Sequence, residues 1–217
     1  MKGLIRHNIY SMVEKLKLTI VINLLVTLVF CIVGIFNPFV YSWAAVVVLL
    51  QIASYAVQAV STLQTDVSSQ WDRFEITMPI RRKDVIGARY ISFILCGVIG
   101  VITALVTIGV FGLFCMDINF ERVIFSFSFG MVLLLVVPAC MHPLLLIFGA
   151  DKSETMMTIS IAVATVWFVG SSMIFNLVLP DLNSSDFIFR TLIISVSGIL
   201  FAVSYIISGR LYQKKEL

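Results

Sequence analysis

The stretch from Asp66 to Tyr90 concentrates the side chains with most to offer chemically. It holds five of the fifteen basic residues (Arg73, Arg81, Arg82, Lys83, Arg89) and four of the twelve acidic ones (Asp66, Asp72, Glu75, Asp84). Val67, Trp71, Phe74 and Met78 stand at i, i+4, i+7 and i+11, so a helix would line them up as one apolar stripe. Ser68, Asp72, Arg73 and Glu75 fall largely on its other faces. Pro79 disfavours helical geometry at Met78 and ends such a helix there. Arg81, Arg82, Lys83 and Asp84 then lead into a second segment that runs on into an apolar stretch. The chemistry on offer is recognition. A short amphipathic helix parallel to a membrane, anchored by Trp and Phe, can seat in a groove on a soluble partner. Aromatic and Arg side chains are the usual energetic anchors of such contacts. The plainer alternative is an ordinary basic loop whose aromatics rest in the membrane interface.

Bond-making chemistry has no comparable signature. The chain has no H-E-x-x-H and no G-x-S-x-G. No Gly is followed by Lys, so a phosphate-cradling G-x-x-x-x-G-K-[ST] loop is absent and the chain cannot hydrolyse a nucleotide by that route. Cys31, Cys96, Cys115 and Cys140 match no metal or redox spacing and read as small buried hydrophobes. His142 has no Cys, Asp, Glu or second His at ligand spacing and reads as a packed or water-facing residue. An intramembrane enzyme therefore lacks its catalytic groups.

The elements that must position the polar stretch are set by composition. Hydrophobic residues make up 60% of the 217 and charged residues 12%, about half the charged share of an average soluble domain. Several apolar runs exceed the 18 or so residues that cross a bilayer. The expected fold is an all-α polytopic membrane protein, one membrane domain over 1–217, with six spans at about 18–36, 40–63, 90–114, 123–148, 155–179 and 187–208. No cleavable signal peptide is expected, since the first apolar run is span length and no A-x-A-like site follows it. Residues 2–17 place Ile5, Ile9, Met12 and Leu16 on one face, with Lys2, Arg6, Lys15 and Lys17 mostly elsewhere, which predicts an amphipathic interfacial helix.

Polar residues inside the spans are few and patterned. Thr19, Asn23 and Thr27 recur every fourth residue in span 1. Gln51, Ser54, Tyr55, Gln58, Ser61 and Thr62 share one face of span 2. Lipid offers such groups no partner, so they must face protein or water. Two readings stay open: hydrogen bonding between helices, or a strip lining a translocation path or subunit seam. Gly100/Ala104 and Gly198/Ala202 are small-xxx-small pairs suited to close packing. Pro138 and Pro143 predict a kink in span 4. Thirteen of the fifteen Lys and Arg fall on the side of the two termini and the 66–89 loop, leaving only Arg122 and Arg190 opposite. The positive-inside rule then makes both termini and that loop cytoplasmic.

The run Trp71-Asp72-Arg73-Phe74, Thr77-Met78-Pro79-Ile80, Arg82-Lys83-Asp84-Val85 and Ala88-Arg89-Tyr90 resembles a bacterial family. It is similar to the small six-span permeases of type-2 ATP-binding-cassette (ABC) exporters, in particular the subgroup tied to amphipathic-peptide export and antimicrobial-peptide immunity. Met78 stands where that family more often has Leu. The resemblance implies a multi-pass cell-membrane permease paired with a second copy or a paralogue. Two separately encoded cytosolic ABC ATPase subunits would bind below, holding ATP and Mg themselves, so this chain would carry no cofactor, metal or catalytic residue. Residues 68–77 would be the coupling helix. Trp71 and Phe74 would be groove anchors, with Asp72, Arg73, Met78, Pro79, Arg81, Arg82, Lys83 and Asp84 around them. Thr19, Asn23, Thr27, Gln51, Tyr55, Gln58 and Thr62 would line the path or dimer seam. Cargo would move outward by alternating access at that seam. The short outer loop between spans 5 and 6 leaves little room for an outer gate. The competing function is a non-transporting anchor or immunity protein that recruits a cytosolic partner through the same loop. Beyond these partners and the lipid bilayer, nothing points to nucleic acid.

Overall fold

The computed structural model describes residues 2–68, 82–114, 118–149, 152–179 and 186–214. The chain is all-α, with no strand among the described residues. Its helices are α1 (Lys2–Phe36), α2 (Ala44–Ser68), α3 (Arg82–Phe114), α4 (Phe120–Phe148), α5 (Ser153–Val178) and α6 (Phe187–Lys214), with a 3₁₀ turn at Pro38–Trp43 between α1 and α2. Each of the six is long and apolar enough to cross a membrane. Helix is the form such runs must take, because lipid cannot satisfy a free backbone N–H or C=O. The expected six-span all-α class is borne out.

Helix boundaries differ from the spans read off hydropathy at informative places. α1 is continuous from Lys2, with no break at residue 17, so the segment expected to be interfacial and span 1 form one helix, of which Val13–Phe36 is apolar enough to cross a membrane. At 35 residues it is about 50 Å long, well beyond an apolar core of about 30 Å. α3 likewise begins at Arg82, eight residues before the expected span. α2 begins at Ala44, directly after the 3₁₀ turn, which Asn37 caps, its side chain accepting from the Phe39 N–H.

α4 is the central helix and packs against α2, α5 and α6, while α3 packs on α1 and α2. One apolar cluster joins Val132, Leu133, Val136, Val137 and Met141 of α4 to Phe168 of α5 and Phe189 and Ile193 of α6. A second joins Phe30, Tyr41, Val48, Ile52, Ala104 and Phe111. α2 meets α4 closely where Gly130 faces Ile52; a Cβ at Gly130 would lie 2.8 Å from the Ile52 Cβ. The expected Gly100/Ala104 face does pack inward: a Cβ at Gly100 would lie 3.0 Å from the Tyr55 Cβ, and Ala104 is fully buried. The Gly198/Ala202 pair meets no helix of this chain: a Cβ at Gly198 would have nothing within 4 Å, and Ala202 is exposed. Pro138 and Pro143 both sit inside α4, which remains one helix through them. α4 ends at Gly149, whose φ of 83° few side chains adopt.

Candidate functional site

The polar loop between α2 and α3 falls largely outside the described residues. Trp71, Asp72, Arg73, Phe74, Met78, Pro79 and Arg81 lie there, and of Thr62, Arg82 and Lys83 only the helical backbone is described. Asp84 is half-buried in the first turn of α3, where the helix dipole favours a carboxylate. What the structure does define is the seat into which the downstream end of that loop is fixed.

The six residues Val85 to Tyr90 are all buried. A helix buried all round is enclosed by protein on every side. Val85 and Ala88 pack on Tyr212 of α6. Ile86 and Tyr90 join Tyr55 and Ala59 of α2, with Leu16 and Ile20 of α1 against them. The ring of Tyr90 lies 5.2 Å from His142, 5.1 Å from Phe201, 5.2 Å from Tyr205 and 5.7 Å from Phe93, centroid to centroid. These separations are those of favourable aromatic pairs.

The Tyr90 hydroxyl is 2.8 Å from Ser204 Oγ and 3.2 Å from Ser208 Oγ, both on α6. Ser204 Oγ donates its one proton to the backbone carbonyl of Ala139 on α4. Ser204 therefore accepts from Tyr90, and the Tyr90 oxygen is left to accept from Ser208. The result is a directed chain, Ser208 to Tyr90 to Ser204 to the Ala139 carbonyl, whose bonds polarise one another. The carbonyl at its end is free for a reason. Its normal helical partner would be the N–H four residues on, and that residue is Pro143. Proline thus exposes an acceptor on α4 that α6 fills, and Tyr90 of α3 locks the pair. His142 beside this chain is 1% exposed, and neither ring nitrogen has a hydrogen-bond partner among the described residues.

A second polar network lies deeper in the spans. Asn23 Nδ2 donates to Ser54 Oγ at 3.1 Å. Gln51 Nε2 donates to the Asn23 carbonyl at 3.0 Å and to Thr27 Oγ1 at 2.8 Å. Thr27 Oγ1 and Thr107 Oγ1 are 3.1 Å apart. The strips of spans 1 and 2 therefore face each other inside one chain and reach α3 through Thr107. Thr19 stands apart, its hydroxyl donating to the Lys15 carbonyl. Three polar atoms on the α2 strip, Gln51 Oε1, Tyr55 OH and Gln58 Nε2, are buried without a partner among the described residues. Sequence reasoning named Asn23, Thr27 and Gln51 but missed Thr107, Ser204 and Ser208. A lone hydroxyl in an apolar run gives no sign of its partner. Gln51→Leu should remove both cross-helix bonds and lower stability by about 1 kcal/mol, typical of hydrogen bonds between membrane helices. Unfolding in detergent micelles, combined with Thr27→Val in a double-mutant cycle, checks this.

Among the described residues no group of His, Cys, Asp and Glu is arranged to hold a metal. No curated protein and no solved structure matches the chain. A family model described as ABC-2 family transporter protein matches residues 3–213, nearly the whole length. The six spanning helices and that match agree: this chain is a multi-pass membrane protein of the ABC-2 transporter family.

Proposed function

We propose that this chain is the permease subunit of an ATP-driven exporter that moves an amphipathic or antimicrobial-type peptide out of a bacterial cell. Membership of the family supports an ABC ATPase partner in general. The finer reading is that two cytosolic ATPase subunits, holding ATP and Mg, dock on the 66–89 loop of a permease dimer. Trp71 and Phe74 are the anchors. Both termini and the loop face the cytosol, and cargo passes by alternating access at the dimer seam.

One observation carries the reading: the turns of α3 directly after the loop are buried on every side and bonded through Tyr90 to α6 and α4. A push delivered at the loop has a rigid path into three spans. An exposed, loosely held loop end would dissipate it. The test is co-purification of an ATPase with the detergent-solubilised chain from its native cells, wild type against Trp71→Ala/Phe74→Ala. The double substitution should abolish co-purification while leaving the bundle folded. An ATPase retained in full would move the docking site elsewhere, with the 149–154 loop as the next candidate.

The non-transporting anchor remains the second reading, and one observation favours it. Asn23, Thr27 and Gln51 are bonded within one chain, to each other and to Ser54 and Thr107. They leave less of the strip for a path or seam. The anchor binds its partner through the same loop but does not alter ATP hydrolysis, so hydrolysis rates with and without the permease separate the two.

A further inference from the structure

At the end of the bundle opposite both termini, the 3₁₀ turn and the start of α4 enclose an open cavity of about 270 Å³. Arg122, Asn119, Ser42, Tyr41 and Phe39 line it, above a floor of small and branched apolar side chains that includes Val123. Arg122 is one of only two basic residues on this side of the chain. It sits in the first turn of α4, where the helix dipole disfavours a cation. Its backbone N–H is taken by Asn119 Oδ1 at 3.2 Å, which leaves the Asn119 amide group as a donor. Ser42 spends its proton on the Phe39 carbonyl at 2.6 Å. The polar chemistry facing the cavity thus includes a guanidinium, an amide donor and the Tyr41 hydroxyl, with no carboxylate among the described lining residues.

The surroundings are equally specific. Phe39 is 72% exposed, Trp43 55%, and Phe36 and Leu113 more still. Exposed aromatic side chains at the end of a spanning bundle mark the headgroup level of a bilayer. A soluble anion approaching here would cross a rim of apolar side chains; a lipid already lies beside it. Guanidinium and phosphate match in a bidentate, charge-assisted pair.

We propose that this cavity binds the phosphodiester headgroup of an anionic phospholipid from the leaflet facing away from the termini, with Arg122 as the phosphate ligand and Asn119 as a second donor. The site acts on the isolated chain and does not depend on the transport reading above. Trp43, in the turn that walls the cavity, gives a local readout free of the basic surface at the opposite end. The full chain carrying Trp71→Phe and Trp167→Phe, in neutral micelles, is titrated with phosphatidylglycerol bearing brominated acyl chains, which quench Trp43. Arg122→Gln should raise the half-quenching concentration roughly tenfold, as loss of a hydrogen-bonded charge pair requires. Arg122→Lys should fall between, and Arg190→Gln should match the parent. Brominated diacylglycerol, which lacks the phosphate, should quench no better with Arg122 than without it. Excess glycerol phosphate should not compete. An unchanged titration in Arg122→Gln, or an equal loss in Arg190→Gln, would overturn the site. Full competition by glycerol phosphate would reassign it to a soluble phosphate and overturn the lipid.

Discussion

Gly130→Val should destabilise the bundle at the upper end of the about 1–3 kcal/mol that overpacking costs. The position has no slack. A Cβ there would lie 2.8 Å from the Ile52 Cβ and 2.9 Å from its Cδ1. The Cβ is fixed to the backbone, so rotating the Ile52 side chain cannot relieve the clash. Ile52 is itself fully buried in the cluster that ties α2 to α1 and α3. Relief requires α2 and α4 to separate, and α4 is the helix on which α5 and α6 also rest. Water plays little part in holding these helices together, since lipid is as apolar as they are. Close packing supplies most of the attraction, and a wedge at the closest contact removes it. The thermal midpoint in micelles should fall clearly for Gly130→Val. Gly170→Val, where a Cβ would meet nothing within 4 Å, should leave the midpoint near wild type.

Tyr90→Ala should cost about 3 kcal/mol, the lower end of the range for truncating a buried aromatic ring. The lower end applies because burial from lipid returns less than burial from water. The substitution removes four ring contacts and the hydroxyl that joins α3 to α6. Tyr90→Phe separates the two contributions. It keeps the ring and should cost about 1 kcal/mol for the hydroxyl. The Ser204 bond to the carbonyl freed by Pro143 does not pass through Tyr90 and should survive. Ser204→Ala should exceed Tyr90→Phe in cost, because it leaves the Ala139 carbonyl buried and without its donor. Thermal unfolding of the three variants gives the order. Under the proposed coupling, Tyr90→Ala should still bind the ATPase and transmit its motion poorly.

The sequence carried the class of fold in plain view, because six long apolar runs have one structural solution in lipid. It carried helix faces too: Asn23 and Thr27 on one helix and Gln51 and Ser54 on the next were legible from spacing alone. What spacing does not carry is which face meets which. The bonds from Gln51 to Asn23 and Thr27 span 28 and 24 residues, and that from Tyr90 to Ser204 spans 114. Tyr90 read as the first residue of span 3, and Ser204 as an unremarked hydroxyl in an apolar run. Pro143 read as a kink, and spacing gave no sign that it also frees a carbonyl for a donor on another helix. The amphipathic pattern of residues 2–17 showed a helix but not that it runs unbroken into span 1. The residues around Trp71 and Phe74 proposed to couple lie outside the described residues, so the structure adds only the seat behind them.

The most direct measurement is the ATP hydrolysis rate of whatever ATPase co-purifies with the wild-type chain, before and after reconstitution with the permease in liposomes. The proposed function requires an ABC ATPase to co-purify and its hydrolysis rate to depend on the permease. Finding no ATPase with a folded six-helix bundle, or an ATPase indifferent to the permease, would contradict it and leave the anchor as the better reading.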